Sequence, residues 1–194
     1  HAVINLFSSS ITYHLFYDPF LLVFIFLFLL HASSVCHAFS RLRLQFLTLC
    51  RTPISLLALL MVAEENVRAV VTLTENYETR FFCCSPQEWE AMGVEQLCLS
   101  TVDLTGVPTL ENLHKGVDFI LKHRACGNTV YVHCKAGRSR SATMVAAYLI
   151  QLHHWSPQEA IQAIAKIRPH ILIRHKQVQV LEKFHRNMIT GTAA

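Results

Sequence analysis

Between His133 and Ser141 the chain reads His-Cys-Lys-Ala-Gly-Arg-Ser-Arg-Ser, with one thiol at Cys134 and a guanidinium at Arg140 on either side of Gly137. A thiol is mostly protonated at neutral pH and attacks as the thiolate, so its chemistry depends on surroundings that favour the anion. A turn joining a strand end to a helix start supplies them: its N–H groups converge on one anion, and the helix adds positive potential there. Gly137 removes a Cβ where such a loop folds back, while Ala136 and Ser139 keep it small enough for the backbone to approach a phosphate. Arg140 offers a planar fork for two phosphoryl oxygens and for the charge that builds in the transition state. Ser141 can donate its hydroxyl to the sulfur as it leaves. The chemistry implied is attack of Cys134 on a phosphate monoester through a phosphocysteine, with His133, Lys135, Ala136, Gly137, Arg138 and Ser139 around the bound phosphate. The plainer alternative is a basic strand-to-helix turn holding a structural cysteine. A Walker A loop is excluded, because no Gly-Lys-Ser/Thr follows.

Positioning this loop requires a strand before it and a helix after it. Thr129 to His133 is short and apolar and reads as that strand, and residues 141–154 form a nearly wholly apolar stretch, as in a helix buried inside a domain. Val67 to Leu73 is β-branched and reads as another buried strand, ending at a polar run over residues 74–79. A further strand is expected over 94–100. Ser85-Pro86-Gln87-Glu88 and Ser156-Pro157-Gln158-Glu159 each combine an N-cap serine, proline at the first helical position and glutamate three after the serine. From Thr109, Leu110, Leu113, Val117, Ile120 and Leu121 recur at helical spacing, and residues 175–185 make a last amphipathic helix. Strands alternating with helices imply a mostly parallel central sheet flanked by helices, an α/β fold that binds ligands beyond the carboxyl ends of its strands.

The chain of 194 residues has 52% hydrophobic content, enough for one packed domain and an extension. A net charge of +4 is too mild to mark a nucleic-acid-binding face. The 7 cysteines contain no CxxC pair, so neither a disulfide framework nor a zinc site is expected. The neighbours Cys83 and Cys84 are candidates for a resolving thiol should Cys134 be oxidised. Residues 1–62 differ in character. Phe20 to Leu30 is wholly apolar but short for a membrane span, and Pro19 to Ala63 lacks acids while carrying Arg41, Arg43 and Arg51. The segment is expected to be a transit segment, a membrane anchor or non-native sequence, and the absence of an initial Met fits a fragment or an alternative start. The domain boundary is expected near Val62, giving an atypical hydrophobic N-terminal extension over 1–62 and a catalytic domain over 63–190.

Val132 to Thr143 matches the CxxxxxR signature of protein tyrosine and dual-specificity phosphatases. The longer run from residue 65 through Ser100 to Gly106 and on to Arg168 resembles a lipid-directed branch, the mitochondrial protein-tyrosine-phosphatase-like phosphatidylglycerophosphate phosphatases. The resemblance covers about residues 63–189 and implies the cysteine-phosphatase fold. It also implies a general acid on an upstream loop, which Asp103 matches; as alternatives, Asp103 caps the turn before Thr109, and Asp118 is a poorer candidate inside a helix. The branch carries an acidic Glu-Glu-Tyr-Glu loop near its pocket. Here it reads Glu75-Asn76-Tyr77-Glu78, so one charge is missing. Glu75, Tyr77 and Glu78 are carried over as substrate-pocket residues, or else they form a polar connection.

Lys135 and Arg138 add cations beside Arg140 and suit a head group with several phosphate charges, unless they simply face solvent. The resemblance implies an anionic phospholipid substrate, action at a membrane surface, and a location on the matrix side of the mitochondrial inner membrane. Competing expectations are a dual-specificity protein phosphatase acting on phosphoproteins and an inactive phosphate-binding variant. No cofactor, metal or nucleic acid is expected. Without the family's usual start, a sheet edge and part of a core face would stand open unless the apolar residues 56–63 cover them.

Overall fold

The computed structural model describes residues 53–103 and 105–191, together with the backbone of residues 21–23. In chain order the elements are β1 (Leu21–Val23), α1 (Pro53–Glu64), β2 (Val67–Thr72), α2 (Asn76–Phe82), α3 (Pro86–Ala91), β3 (Glu95–Cys98), α4 (Leu110–Ala125), β4 (Thr129–His133), α5 (Arg140–His153), α6 (Pro157–Ile167) and α7 (His175–Thr190). The sheet runs β1-β4-β2-β3, and every pairing in it is parallel. The strands therefore point their carboxyl ends the same way. Val70 lies opposite Tyr131, Thr72 opposite His133, and Thr72 also opposite Cys98.

Alternation along the strands divides the core in two. Ala69, Val71 and Leu73 of the β2 segment and Val130 and Val132 of β4 face one side, against Leu113, Val117 and Ile120 of α4, Met144 and Tyr148 of α5, and Leu181 and Phe184 of α7. Val70 and Tyr131 face the other side, against Trp89 of α3 and Ala58 and Met61 of α1. A register shift between Val67 and Ala69 turns Val67 to this second face as well. α5 is buried over nearly its whole length, from Arg140 to Ile150, because sheet and helices enclose it on all sides; this is why its sequence lacks a polar face.

Both serine caps form as expected. The amide of Glu88 donates to Ser85 Oγ and that of Ser85 to Glu88 Oε2; Ser156 and Glu159 repeat the exchange. Two features differ from the sequence expectations. The polar run after β2 is a helix, α2, whose first turn is closed by the Glu75 amide donating to Glu78 Oε2 at 2.9 Å. α1 also runs through the boundary expected near Val62, and its Ala58 and Met61 are buried on the second face. Ala58 and Met61, from the apolar residues 56–63, thus cover that face in part. The free edge of β4 is paired with β1, from inside the apolar stretch Phe20–Leu30; the remainder of that stretch lies outside the described residues. Among the described residues no helix is long and apolar enough to cross a membrane.

Candidate active site

Every element of the site lies just beyond a strand's carboxyl end: residues 73–78 after β2, 99–103 after β3 and 134–140 after β4. Cys134 follows β4 directly and is buried, with its Sγ 3.2 Å from Ser141 Oγ in the first turn of α5. The serine hydroxyl is therefore in place to serve the sulfur. Gly137 has φ +61°, the left-handed backbone that the turn requires and a Cβ would penalise. The loop is braced from outside: Arg168 Nη2 donates to the carbonyl of Ala136, the Leu172 amide to the carbonyl of Arg138, and Gln177 Nε2 to Ser139 Oγ. α7 and the segment leading into it thus fix the loop's outer side.

Arg140 is the first residue of α5 and is buried, with its guanidinium bonded on several sides. Nη1 and Nη2 form a two-pronged pair with Glu78 Oε2 and Oε1 at 2.7 and 3.0 Å. Nη1 also donates to the Thr101 carbonyl at 2.9 Å and the Leu73 carbonyl at 3.4 Å, and Nη2 to Asp103 Oδ1 at 2.8 Å. Glu78 has no exposed surface. Its hydrogen bond from Arg140 outweighs burial and holds its carboxyl below the ordinary value. Burial opposes the charge of Arg140, but the Glu78 bond and the negative groups around it, Asp103 among them, raise its pKa further. This is a buried charge satisfied by a partner of matching shape.

Asp103 reaches the site from the β3 side. Its carboxylate bridges Arg140 and Lys135 Nζ, the latter at 3.5 Å, and its own amide donates to Glu75 Oε2 at 3.1 Å. The carboxylate occupies one edge of the arginine fork. Asp118 lies on the exposed side of α4, consistent with the poorer candidacy given to it.

His133 is buried behind the loop, where Nε2 lies 3.0 Å from Thr72 Oγ1 and Nδ1 3.7 Å from Cys83 Sγ, and its ring stacks on Tyr131. Burial, with Arg140 nearby, brings its pKa down to about 4, so it is neutral at physiological pH. It supports the loop from below through Thr72, Cys83 and Tyr131. Glu78, expected as a pocket residue, grips Arg140. Tyr77 is exposed, and Glu75 holds the Asp103 turn. Arg138 is exposed, and its Nε donates to the His170 carbonyl at 2.9 Å. Sequence reasoning missed the carbonyls of Leu73 and Thr101, the support from Thr72 and Cys83, and the braces Arg168 and Gln177. No local pattern marks these residues. The described cysteines, 83, 84, 98, 126 and 134, are all free thiols, with Cys83 raised by burial above the ordinary thiol value. No group of three or more His, Cys, Asp or Glu side chains among the described residues could hold a metal.

A strand-loop-helix carrying Cys134 and Arg140, set at the carboxyl end of a parallel sheet, defines a cysteine-based phosphatase. The profile of the dual specificity phosphatase catalytic domain matches residues 53–187, and the chain belongs to that family. Among its relatives, the Mus musculus protein named phosphatidylglycerophosphatase and protein-tyrosine phosphatase 1 is 68% identical over 134 residues, which is 69% of each chain. The Homo sapiens protein of the same name is 63% identical over 136 residues, covering 70% of this chain and 68% of its own. The crystal structure of PTPMT1 in complex with PI(5)P superposes with a TM-score of 0.70 at 62% identity, over 73% of this chain and 90% of that one.

Proposed function

We propose that the chain hydrolyses the phosphate monoester of an anionic phospholipid, phosphatidylglycerophosphate, to release phosphatidylglycerol for cardiolipin synthesis. The observation that carries this reading is the identity of 63–68% over 134–136 residues to relatives bearing the phosphatidylglycerophosphatase name. A solved neighbour that holds a phosphoinositide supports the lipid class. In this reading the substrate phosphate binds within the loop of Cys134 against Arg140, and Asp103, whose carboxylate lies on one edge of the arginine fork, serves the ester oxygen. The Cys134 thiolate attacks phosphorus, the S–P bond forms, and the P–O bond to the lipid alcohol breaks as Asp103 delivers a proton to that oxygen. Water then attacks the phosphocysteine and gives its proton to Asp103, restoring the acid; the S–P bond breaks, inorganic phosphate leaves, and the Ser141 hydroxyl donates a hydrogen bond to the departing sulfur. Glu78 keeps Arg140 aligned in both steps.

The reading extends to action at a membrane surface, on the matrix side of the mitochondrial inner membrane, which fractionation of cells expressing the chain would test. Phosphoproteins form the second substrate class, favoured by the protein-tyrosine phosphatase half of the relatives' name. Side-by-side turnover of phosphatidylglycerophosphate and a phosphotyrosine peptide decides between them. We expect the higher kcat/KM on the lipid; a higher value on the peptide would overturn the lipid reading.

A further inference from the structure

Single exposed apolar side chains are ordinary on a protein surface, but a cluster of them is not. Among the described residues the large exposed ones are Tyr77 at 57%, Val102 at 55%, Leu172 at 42% and Ile189 at 67%. Ile189 sits in the last turn of α7. The other three come from three separate segments, each tied by hydrogen bonds to the loop that holds Cys134 and Arg140. Tyr77 lies in the first turn of α2, beside Glu78 on Arg140 and next but one to Glu75, which holds the Asp103 turn. Val102 stands between Thr101, whose carbonyl accepts from Arg140, and Asp103. The Leu172 amide donates to the carbonyl of Arg138 in the phosphate loop at 2.8 Å. Lys135, Arg138 and Arg174, all exposed, lie in the same loop and strap.

We propose that this rim is a docking surface for an anionic bilayer, with Val102 and Leu172 entering the acyl boundary and Lys135, Arg138 and Arg174 meeting the head groups, while Tyr77, whose phenol lies among the carboxylates of Glu75, Glu78 and Asp103, stays above it. Exposed apolar side chains in segments that also carry exposed cations suit an interface that is itself apolar below and negatively charged above. The arrangement also answers a physical demand of the proposed reaction. Lifting a two-chain lipid out of a bilayer would expose its acyl methylenes to water, whereas a site whose rim settles into the surface reaches the phosphate with the chains in place. The buried position of Cys134 then suits a phosphate presented end-on from the membrane.

The inference rests on the lipid reading above, and the test separates the two. In the full chain, Leu172→Trp and Ile189→Trp report insertion at their own positions, whatever else binds, against the background of Trp89 and Trp155. With vesicles of phosphatidylglycerol and brominated phosphatidylcholine, we expect the added emission of L172W to be quenched and that of I189W to be spared. The double variant Val102→Ser/Leu172→Ser should lose roughly tenfold or more both in turnover of vesicle-borne phosphatidylglycerophosphate and in sedimentation with those vesicles, as two apolar anchors are removed. The docking surface is overturned by absent quenching at position 172, by equal quenching at 189, or by parental turnover of vesicle-borne lipid in the double variant. Quenching at 172 in a chain that turns over phosphopeptide but no lipid would leave the docking surface standing and overturn the lipid reading.

Discussion

Replacing Glu78 with glutamine changes one charge and few atoms, and the structure gives the result a definite size. The carboxylate accepts from Arg140 Nη1 at 2.7 Å, from Nη2 at 3.0 Å and from the Glu75 amide at 2.9 Å, with no surface exposed to water. A glutamine keeps one acceptor and turns an N–H₂ toward groups that only donate, so at least one bond becomes a donor–donor conflict. Arg140 remains charged and buried, with Asp103 as its nearest anion. Breaking a buried pair from one side costs about 3–5 kcal/mol, a large share of the roughly 5–15 kcal/mol by which domains are stable. The guanidinium is also freed to turn toward Asp103, and a misplacement of about 1 Å at a clamp of this kind costs on the order of 10²-fold in turnover. Denaturant unfolding and kcat on an aryl phosphate measure the two effects in one preparation. The pH dependence gives a further signature. The pKa of Glu78 is lowered in the folded chain, so its contribution is present above the unfolded carboxylate value and is lost as pH falls through the folded one. The stability gap between the parent and Glu78→Gln should therefore close in acid. A gap that stays constant to low pH, or unchanged turnover, would refute the assignment of Glu78 as the residue that positions Arg140.

Cys134→Ser should retain phosphate binding while losing turnover, because Arg140 and the loop survive without a thiolate; measurable single-turnover hydrolysis by this variant would contradict the mechanism. Asp103→Asn should lower turnover roughly 10²–10⁴-fold on alkyl phosphates and far less on aryl phosphates, and equal losses on both would make Asp103 a structural residue. His133 has a folded pKa of about 4 against about 6.5 when unfolded, so its neutral burial stabilises the fold above pH 6.5 and is withdrawn between there and pH 4, by about 3 kcal/mol in all. Unfolding curves of the parent and His133→Asn across that window should differ in slope, and parallel curves would show that His133 does not titrate with folding.

The loop from Cys134 to Arg140 was legible in the sequence because its chemistry is local: thiol, glycine, guanidinium and the two flanking elements lie within one short stretch. The Ser-Pro-Gln-Glu caps were legible for the same reason, since each satisfies its helix end from within four residues. α2 escaped because its first turn is closed by Glu75 and Glu78, and glutamate is not among the residues that announce a helix start. The role of Glu78 escaped for a deeper reason. It lies 62 positions from Arg140, and the pair exists only because β2 and β4 are parallel neighbours whose carboxyl ends release both segments at one level. Asp103 joins them from the end of β3, on the other side of β2. Sequence alternation shows that such strands exist, but their order in the sheet decides which loops meet. That order follows from packing on two faces, and the second face includes Ala58 and Met61 of α1, to which the cysteine signature gives no clue. A site of this kind is thus a property of the sheet as much as of the loop. Resemblance reached Asp103 and the acidic run because related chains share the strand order, whereas physical reading of the residues alone could reach only what Cys134 and Arg140 share with their immediate neighbours.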